Sequence, residues 1–410
     1  MTGAVNGALT SREPDLPEEA FAAALASLPG MTPATFGALL GQRPAGRGLT
    51  LFDCTPASGP DVEPSEVWRT VTAGTVRDRA EFRRRDDRGD FADLRTRWAV
   101  AAMSMNVCRL WAEYTRRQVG VDLLGRPGYP EELVLDEHPP FVVFRTGRDP
   151  DLAGRRVAIV GTRRATPAGR QIAYDFGALL SEAGARIVSG LALGIDGAAH
   201  QGALDAVAAA PIGVVAGGFD LPYPARHRVL WQQVAAAGVL VSESPLGVRS
   251  EGWRFIARNR IIAGLAEAIV VVESRDAGGS IITADAALRR GITVMAVPGS
   301  IRNPASDGTN KLIRDGAIPV CGVEDILTAL HMDGALTARG VPDGRPVPSP
   351  RGINLLDAMG WEPTPTSALV ARTGLDPVDV AVELTHLEVD GWILCRGGWW
   401  QRIAERGRAR

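Results

Sequence analysis

One stretch decides the fold: RRVAIVGTRRATPAGR, at residues 155–170. Its first half, Val157–Val160, is a short apolar run with β-branched residues and predicts a strand. A turn follows at Gly161–Arg164, and Thr166-Pro167 favours a helix start, because the hydroxyl can cap free amides while proline fits the first turn. Two arginines then lie beside helix amides, which suits an anion such as phosphate. The same pattern also fits an ordinary strand-to-helix turn with exposed arginines, and it lacks the GxGxxG spacing of a dinucleotide site.

The chain from about residue 155 to residue 331 repeats this alternation of apolar runs and helical segments. The predicted strands are Val157–Val160, Arg186–Ser189, Ile212–Ala216, Val239–Ser242, Ala268–Glu273, Thr293–Val297 and Ala317–Val320. Continuous apolar strands separated by helices are typical of a parallel sheet covered on both faces. We therefore predict an α/β fold with an extended Rossmann-like, doubly wound parallel sheet. Ligands of such sheets bind beyond the carboxyl ends of the strands.

Composition bounds the class of protein. A chain of 410 residues, 45% hydrophobic and 22% charged, predicts a globular protein of two or three domains. The net charge of -2 confines any nucleic-acid site to a local patch, and Lys311 is the only lysine, so arginine supplies the positive charge. The four cysteines have no CxxC spacing, so we expect neither structural zinc nor disulfides. We find no signal-peptide pattern and no apolar run near the ~18 residues of a membrane span, and expect a cytoplasmic protein.

The flanks of the predicted core form smaller units. Residues 1–16 are expected to be disordered, and residues 17–120 to be helical, with a helix-hairpin-helix unit at 17–40 and a linker at 41–64. The core spans residues 121–332, a Pro/Gly-rich linker covers 333–352, and a winged-helix domain spans 353–404. The recognition helix of that domain, at 377–389, carries Asp379, Glu383 and Glu388 without Lys or Arg. Because phosphate would be repelled there, we interpret this domain as a protein-contact or regulatory module rather than a DNA reader.

Aromatic and basic side chains alternate along the predicted carboxyl edge of the sheet. One group comprises Tyr223, Arg226, His227 and Arg228, and a second comprises Arg254, Phe255, Arg258, Asn259 and Arg260. Such mixtures suit the bases and phosphates of a single nucleic-acid strand. Asp196 and His200 lie four residues apart on a predicted helix, and we interpret them as a helix cap and a packed histidine rather than a catalytic pair.

Nine motifs along the core carry a family resemblance. They are GTR (161–163), SGLALGIDGAAH (189–200), GGFDLPYP (217–224), SESPLG (242–247), FIARNRIIAGL (255–265), VVES (271–274), GGSIITA (278–284), AVPGS (296–300) and GTNKLIRDGA (308–317). In this order they strongly resemble the DNA-processing protein A family (DprA, also called Smf), from about residue 128 to residue 330. Departures are GGS at 278–280, where the family usually has serine before the second glycine, the linker at 41–64 and the acidic recognition helix.

The resemblance implies a function without catalysis, cofactor or metal. It implies binding of single-stranded DNA without sequence preference, dimerisation through the Rossmann-like core, and loading of the RecA recombinase during natural transformation. The motifs transfer DNA contacts to Arg163, Arg226, Arg258 and Arg260, and position alone adds Arg254. The remaining predicted DNA-binding residues are Gly161, Thr162, Arg164, Ser189, Gly190, Gly194, Asp196, Arg228, Asn259, Gly279, Ser280 and Lys311.

Two other functions remain open from the sequence. Related Rossmann proteins include enzymes that act on nucleotides or sugar phosphates, but the PGGxGTxxE-like stretch of phosphoribohydrolases does not continue after Pro298-Gly299-Ser300. Glu273 also ends its strand without an evident partner. The third possibility is a sensor that binds a small nucleotide and signals through the winged helix.

Overall fold

The structure is a computed structural model that describes residues 16–41, 60–77, 91–134, 136, 139–335, 345–360 and 363–403. The predicted disordered start therefore lies outside the described residues, apart from Leu16. Residues 42–59 of the first predicted linker and residues 336–344 of the second lie outside them too. Among the described residues, no helix is both long and apolar enough to cross a bilayer.

The N-terminal region is helical, as predicted. Its helices are α1 (Glu18–Ala26), α2 (Pro33–Leu39), α3 (Pro64–Thr72), α4 (Phe91–Ser104) and α5 (Val107–Arg116). The turn between α1 and α2 ends at Thr32, whose hydroxyl accepts the Thr35 amide at 3.2 Å, and Pro33 occupies the first turn of α2. Buried Trp98 of α4 ties this turn down by donating its indole N–H to the Pro29 carbonyl at 3.0 Å.

Within the described residues, nine strands form one central sheet. They are β1 (Gly120–Leu123), β2 (Val142–Gly147), β3 (Arg156–Val160), β4 (Arg186–Ser189), β5 (Ile212–Val215), β6 (Val239–Ser242), β7 (Ala268–Val271), β8 (Thr293–Ala296) and β9 (Ile318–Pro319). Their order is β1-β2-β6-β5-β4-β3-β7-β8-β9. Strands β3 to β9 are parallel, and the chain crosses from β6 over to β7, beside β3. The doubly wound Rossmann-like sheet is therefore confirmed, and its topological switch point lies between β3 and β7.

Two faces of the sheet are covered by different helices. The core helices are α6 (Glu131–Val134), α7 (Pro167–Glu182), α8 (Ile195–Ala206), α9 (Arg228–Ala237), α10 (Gly252–Gly264), α11 (Gly279–Leu288), α12 (Asp307–Arg314) and α13 (Val323–Ala329). Helices α7, α8 and α13 pack on one face through residues such as Ala173, Ala199 and Ile326. Helices α10, α11 and α12 pack on the other through Ile261, Ala284 and Leu312. Both faces of the sheet are therefore covered, and β3 to β7 are buried along their whole length.

The predicted strands begin only at Val157 and leave out the segment from Arg126 to Arg148. This segment contains α6 and β2, and β2 pairs antiparallel with β1 on one side and β6 on the other. The sheet is thus parallel only from β3 to β9. The N-terminal helices share one apolar cluster with this antiparallel edge, including buried Phe144 of β2.

The C-terminal domain has winged-helix architecture, as predicted. Its elements are α14 (Pro350–Met359), β10 (Thr364–Pro365), α15 (Thr366–Thr373), α16 (Pro377–Val389), β11 (Ile393–Arg396) and β12 (Trp399–Arg402). Strands β11 and β12 form the wing, and the turn between them uses Gly397 and Gly398, both at positive φ. The first helix begins at Pro350, so it includes residues that we assigned to the linker.

Candidate nucleic-acid interface

The candidate site lies at the carboxyl ends of the parallel strands. The loop after β3 meets the loop after β4 there, since the Ile195 amide donates to the Thr162 carbonyl at 3.4 Å. Gly194, at φ +83°, lies so close to this carbonyl that a Cβ atom would overlap it. On the other side, the Thr162 amide donates to the Glu273 carbonyl at 2.7 Å. The loop carrying Arg163 is therefore held from both sides.

A cluster of one guanidinium and two aromatic rings lies on this edge. The Arg163 guanidinium lies 4.9 Å from the centre of the Phe255 ring, and that ring lies 5.3 Å from the Tyr223 ring. Tyr223 is 49% exposed, and Arg163 is exposed as well. The aromatic members had a signal in the sequence, because each lies within three residues of a predicted arginine contact. A cation beside an exposed aromatic ring can bind both the phosphate and the base of a nucleotide.

Three further arginines continue this surface. Arg164 follows Arg163, Arg226 lies in the 3-10 turn Ala225–His227, and Arg228 begins α9; all three are exposed. Within the described part of the chain, none of these guanidiniums or that of Arg163 lies within 4.0 Å of a carboxylate oxygen. The turn is fixed to the β4–α8 loop, since His227 Nδ1 lies 2.9 Å from the Leu191 carbonyl oxygen. We call Arg163, Arg164, Tyr223, Arg226, Arg228 and Phe255 the arginine–aromatic rim.

The N-terminus of α7 does not offer the open anion site that the sequence suggests. Glu273, which is 7% exposed, directs its carboxylate there. Its Oε2 accepts the Thr166 amide at 2.8 Å, and its Oε1 accepts the Thr166 hydroxyl at 2.5 Å. The predicted cap is present, because the same hydroxyl accepts the Gly169 amide at 3.0 Å. The anion at this helix is therefore a side chain of the protein, and Glu273 is not without a partner.

Asp196 does not cap its own helix, contrary to our interpretation. Helix α8 begins at Ile195, and buried Asp196 accepts the Gly190 amide of the preceding loop at 3.1 Å. Burial raises the pKa of Asp196, while the nearby Arg258 guanidinium and loop amides favour its charged form. His200 is fully buried, as we expected of a packed histidine, and burial lowers its pKa to about 4. Both side chains therefore lie in the interior, beneath the loop between β4 and α8, and do not face solvent.

Arg258 and Arg260 are not on the surface, contrary to the prediction that they contact phosphates. Arg258 is 6% exposed, donates to the Val214 carbonyl at 2.5 Å, and has a pKa lowered to about 10 by burial. Its guanidinium fills the space beside Gly190, where a Cβ atom would overlap it. Arg260 pairs with Glu243 at 2.7 Å and lies 3.6 Å from Asp136. Both arginines neutralise interior carboxylates.

The other predicted contacts are divided between interior and surface. Ser189 and Ser280 are buried, and their hydroxyls donate to the Ile159 carbonyl at 2.6 Å and to Ser274 Oγ at 2.8 Å. Three other predicted residues have side-chain partners. Arg254 donates to Ser244 Oγ at 3.0 Å and lies 4.4 Å from the centre of the Trp253 ring. Asn259 donates to the Gly279 carbonyl at 3.3 Å, and Lys311 pairs with Asp276 at 3.1 Å. Gly161 makes room for the Glu273 carbonyl, 2.8 Å from where its Cβ would lie. Among the described residues, no group of three or more His, Cys, Asp or Glu side chains could hold a metal ion.

Comparison with known proteins agrees with the motif series. The family DNA recombination-mediator protein A matches residues 122–331, and the DprA winged helix domain matches residues 343–398. The DNA processing protein DprA of Bacillus subtilis is 39% identical over 223 residues, covering 54% of this chain and 75% of that protein. The protein Smf of Escherichia coli is 36% identical over 282 residues, covering 67% of this chain and 75% of that protein.

A solved structure agrees as well. The X-ray structure of DNA processing protein A from Streptococcus pneumoniae superposes with a TM-score of 0.52 at 32% identity, covering 57% of this chain and 81% of that one. The chain belongs to the DNA recombination-mediator protein A family, DprA or Smf.

Proposed function

We propose that the protein binds single-stranded DNA without sequence preference through the arginine–aromatic rim. One observation carries the proposal: at the carboxyl edge of the sheet, Arg163 lies 4.9 Å from the centre of the Phe255 ring, and the Tyr223 ring lies beside Phe255 at a tilt of 51°. Every base has a π face, so ring stacking accepts any sequence, whereas duplex DNA keeps its bases stacked inside. The exposed arginines of the arginine–aromatic rim supply the phosphate contacts.

The biological role that we propose rests on family membership. A cytoplasmic protein of this family would protect incoming single strands and load the RecA recombinase onto them during natural transformation. It would do so as a homodimer formed through the Rossmann-like core. We propose no catalytic step, and the names of the relatives, which describe DNA processing, support binding of DNA.

We assign the winged helix to a protein contact rather than to DNA. Helix α16 exposes Val378, Val382 and Val389, which are 70%, 50% and 81% exposed. It carries three carboxylates and no Lys or Arg. A face of this kind lacks the cations and hydrogen-bond donors that phosphates and base edges require.

The test is a titration of the purified protein with matched single- and double-stranded oligonucleotides, followed by fluorescence anisotropy. We expect a strong preference for the single strand and an affinity that falls steeply with salt. Equal affinity for both forms, or no binding, would contradict the proposal. A nucleotide turnover assay on the same sample separates it from the alternative of a nucleotide- or sugar-phosphate-binding enzyme or sensor, for which product formation or saturable binding of a free nucleotide is required.

A further inference from the structure

The crevice between β3 and β7 is the place where doubly wound folds bind nucleotide phosphates. The connections that follow the two adjacent parallel strands run to opposite sides of this point, and the helix after the first strand turns its free amides toward it. Here the first strand is β3, the helix is α7, and the neighbouring strand β7 leads directly into Glu273. The chain therefore places a carboxylate where such folds place a phosphate.

The contacts of Glu273 occupy hydrogen-bond donors that a phosphate at the start of α7 would use. Its two carboxylate oxygens accept the amide and the hydroxyl of Thr166, at 2.8 and 2.5 Å. Pro167 has no N–H, and the Gly169 amide is taken by the Thr166 hydroxyl. Gly169 also packs so closely on Glu273 that any side chain there would overlap the carboxylate.

The same residue holds the loop that carries Arg163. The Glu273 carbonyl accepts the Thr162 amide at 2.7 Å, while its carboxylate fixes Thr166 at the other end of the loop. Arg163 lies between these two anchors. On its far side, the loop packs against Gly194.

We propose that Glu273 is a built-in substitute for a nucleotide phosphate: it excludes phosphate and free nucleotides from the switch-point crevice and positions the Arg163 loop for a DNA strand lying across the rim. The negative charge repels a second anion, and the donors of Thr166 and Gly169 are already occupied. Glu273 is thus a positioning and specificity residue. The positioning part rests on the proposed binding of single-stranded DNA, whereas the exclusion of phosphate does not.

The experiment compares Glu273→Ala and Glu273→Gln with the wild type and with Glu182→Ala, which removes an exposed carboxylate at the other end of α7. Affinity for a single-stranded oligonucleotide is measured in acetate and in chloride at equal ionic strength. We expect Glu273→Ala to bind roughly tenfold more weakly in chloride, because a charged hydrogen-bond acceptor is lost. Acetate, which resembles the deleted side chain, restores that affinity, and Glu273→Gln stays near the wild type because its amide oxygen still accepts the Thr166 amide.

Thermal unfolding with inorganic phosphate or ADP provides the second readout. Phosphate is expected to stabilise Glu273→Ala and to leave the wild type and Glu182→Ala unchanged. A wild type stabilised by phosphate, or a Glu273→Ala protein with wild-type DNA affinity and no response to acetate or phosphate, would overturn the proposal. Should Glu273→Ala fail to fold, Glu273→Ser removes the carboxylate and keeps a small polar side chain, and the same losses and responses are required of it.

The two proposals fail in different ways. If the wild type does not bind single-stranded DNA, the proposed function is wrong, and the phosphate readout still decides whether Glu273 excludes anions. If the wild type binds DNA and the Glu273 variants match it in every readout, only the role of Glu273 is wrong.

Discussion

Replacing Arg163 by alanine removes the centre of the arginine–aromatic rim without touching the core. The side chain is exposed and its contact is the face of Phe255, at 4.9 Å from the ring centre. The hydrogen bonds that hold the loop are made by backbone atoms and do not involve the Arg163 guanidinium. We therefore expect the unfolding free energy to change by less than about 0.5 kcal/mol, as for most surface substitutions.

The effect on DNA binding can be worked from the four exposed arginines of the rim. Each phosphate neutralised on a single strand contributes about 0.7 to the slope of log affinity against log salt, so four contacts give about 2.8. A rise from roughly 50 to 200 mM salt then weakens the wild type about 50-fold and the Arg163→Ala protein about 20-fold. At low salt, loss of one charged hydrogen bond weakens binding by roughly tenfold.

The assay is anisotropy with a labelled single-stranded oligonucleotide at several salt concentrations. Arg289→Ala is the matched control, because this exposed arginine follows α11 at the opposite edge of the sheet. The control should keep both the affinity and the slope of the wild type. An Arg163→Ala protein with unchanged affinity and slope would show that the strand does not cross this loop.

Three other predictions concern stability and the division of labour between domains. Arg260→Ala leaves Glu243 without its buried ion-pair partner, while Asp136 keeps Arg290 at 2.5 Å, so the unfolding free energy in urea should fall by about 3 kcal/mol. An unchanged value would show that the Arg260–Glu243 pair does not stabilise the fold. His200 stays neutral in the folded protein, with a pKa of about 4 against an ordinary 6.5, so its contribution to stability is complete above pH 6.5 and is lost as the pH falls toward 4. His200→Gln should flatten that part of the pH–stability profile, and identical profiles would contradict the assignment. Deleting residues 345–410 should leave affinity for single-stranded DNA within a few fold, since α16 is acidic, and a severe loss would place a DNA contact on the winged helix.

The sequence predicted correctly those elements that depend only on residues close together in the chain. Neighbouring residues determine the periodicity of strands and helices, the helix start at Thr166-Pro167 and the order of elements in the winged-helix domain. The structure agrees with these predictions. Strand β2 was missed because its position between β1 and β6 depends on pairing with segments outside its own sequence. The sequence shows that Val142–Phe144 are apolar, but it does not show which strands pair with them.

The chemistry of the candidate site was harder to predict for the same reason. Thr166 and Glu273 are 107 positions apart, and Arg258 is 44 positions from the carbonyl that it contacts. A motif shows that an arginine is present, but only the packing decides whether its guanidinium faces a phosphate or a buried carboxylate. Arg163 and Arg226 emerge on the surface, whereas Arg258 and Arg260 do not.

The central claim is that a single DNA strand lies on the arginine–aromatic rim. Ultraviolet crosslinking of the wild-type protein to an oligothymidylate, with the attached peptides identified by mass spectrometry, tests it most directly. The predicted adducts lie on Tyr223 and Phe255, because their rings offer the stacking faces beside Arg163. Adducts confined to α16 or to the N-terminal helices, with none on these two rings, would contradict the account.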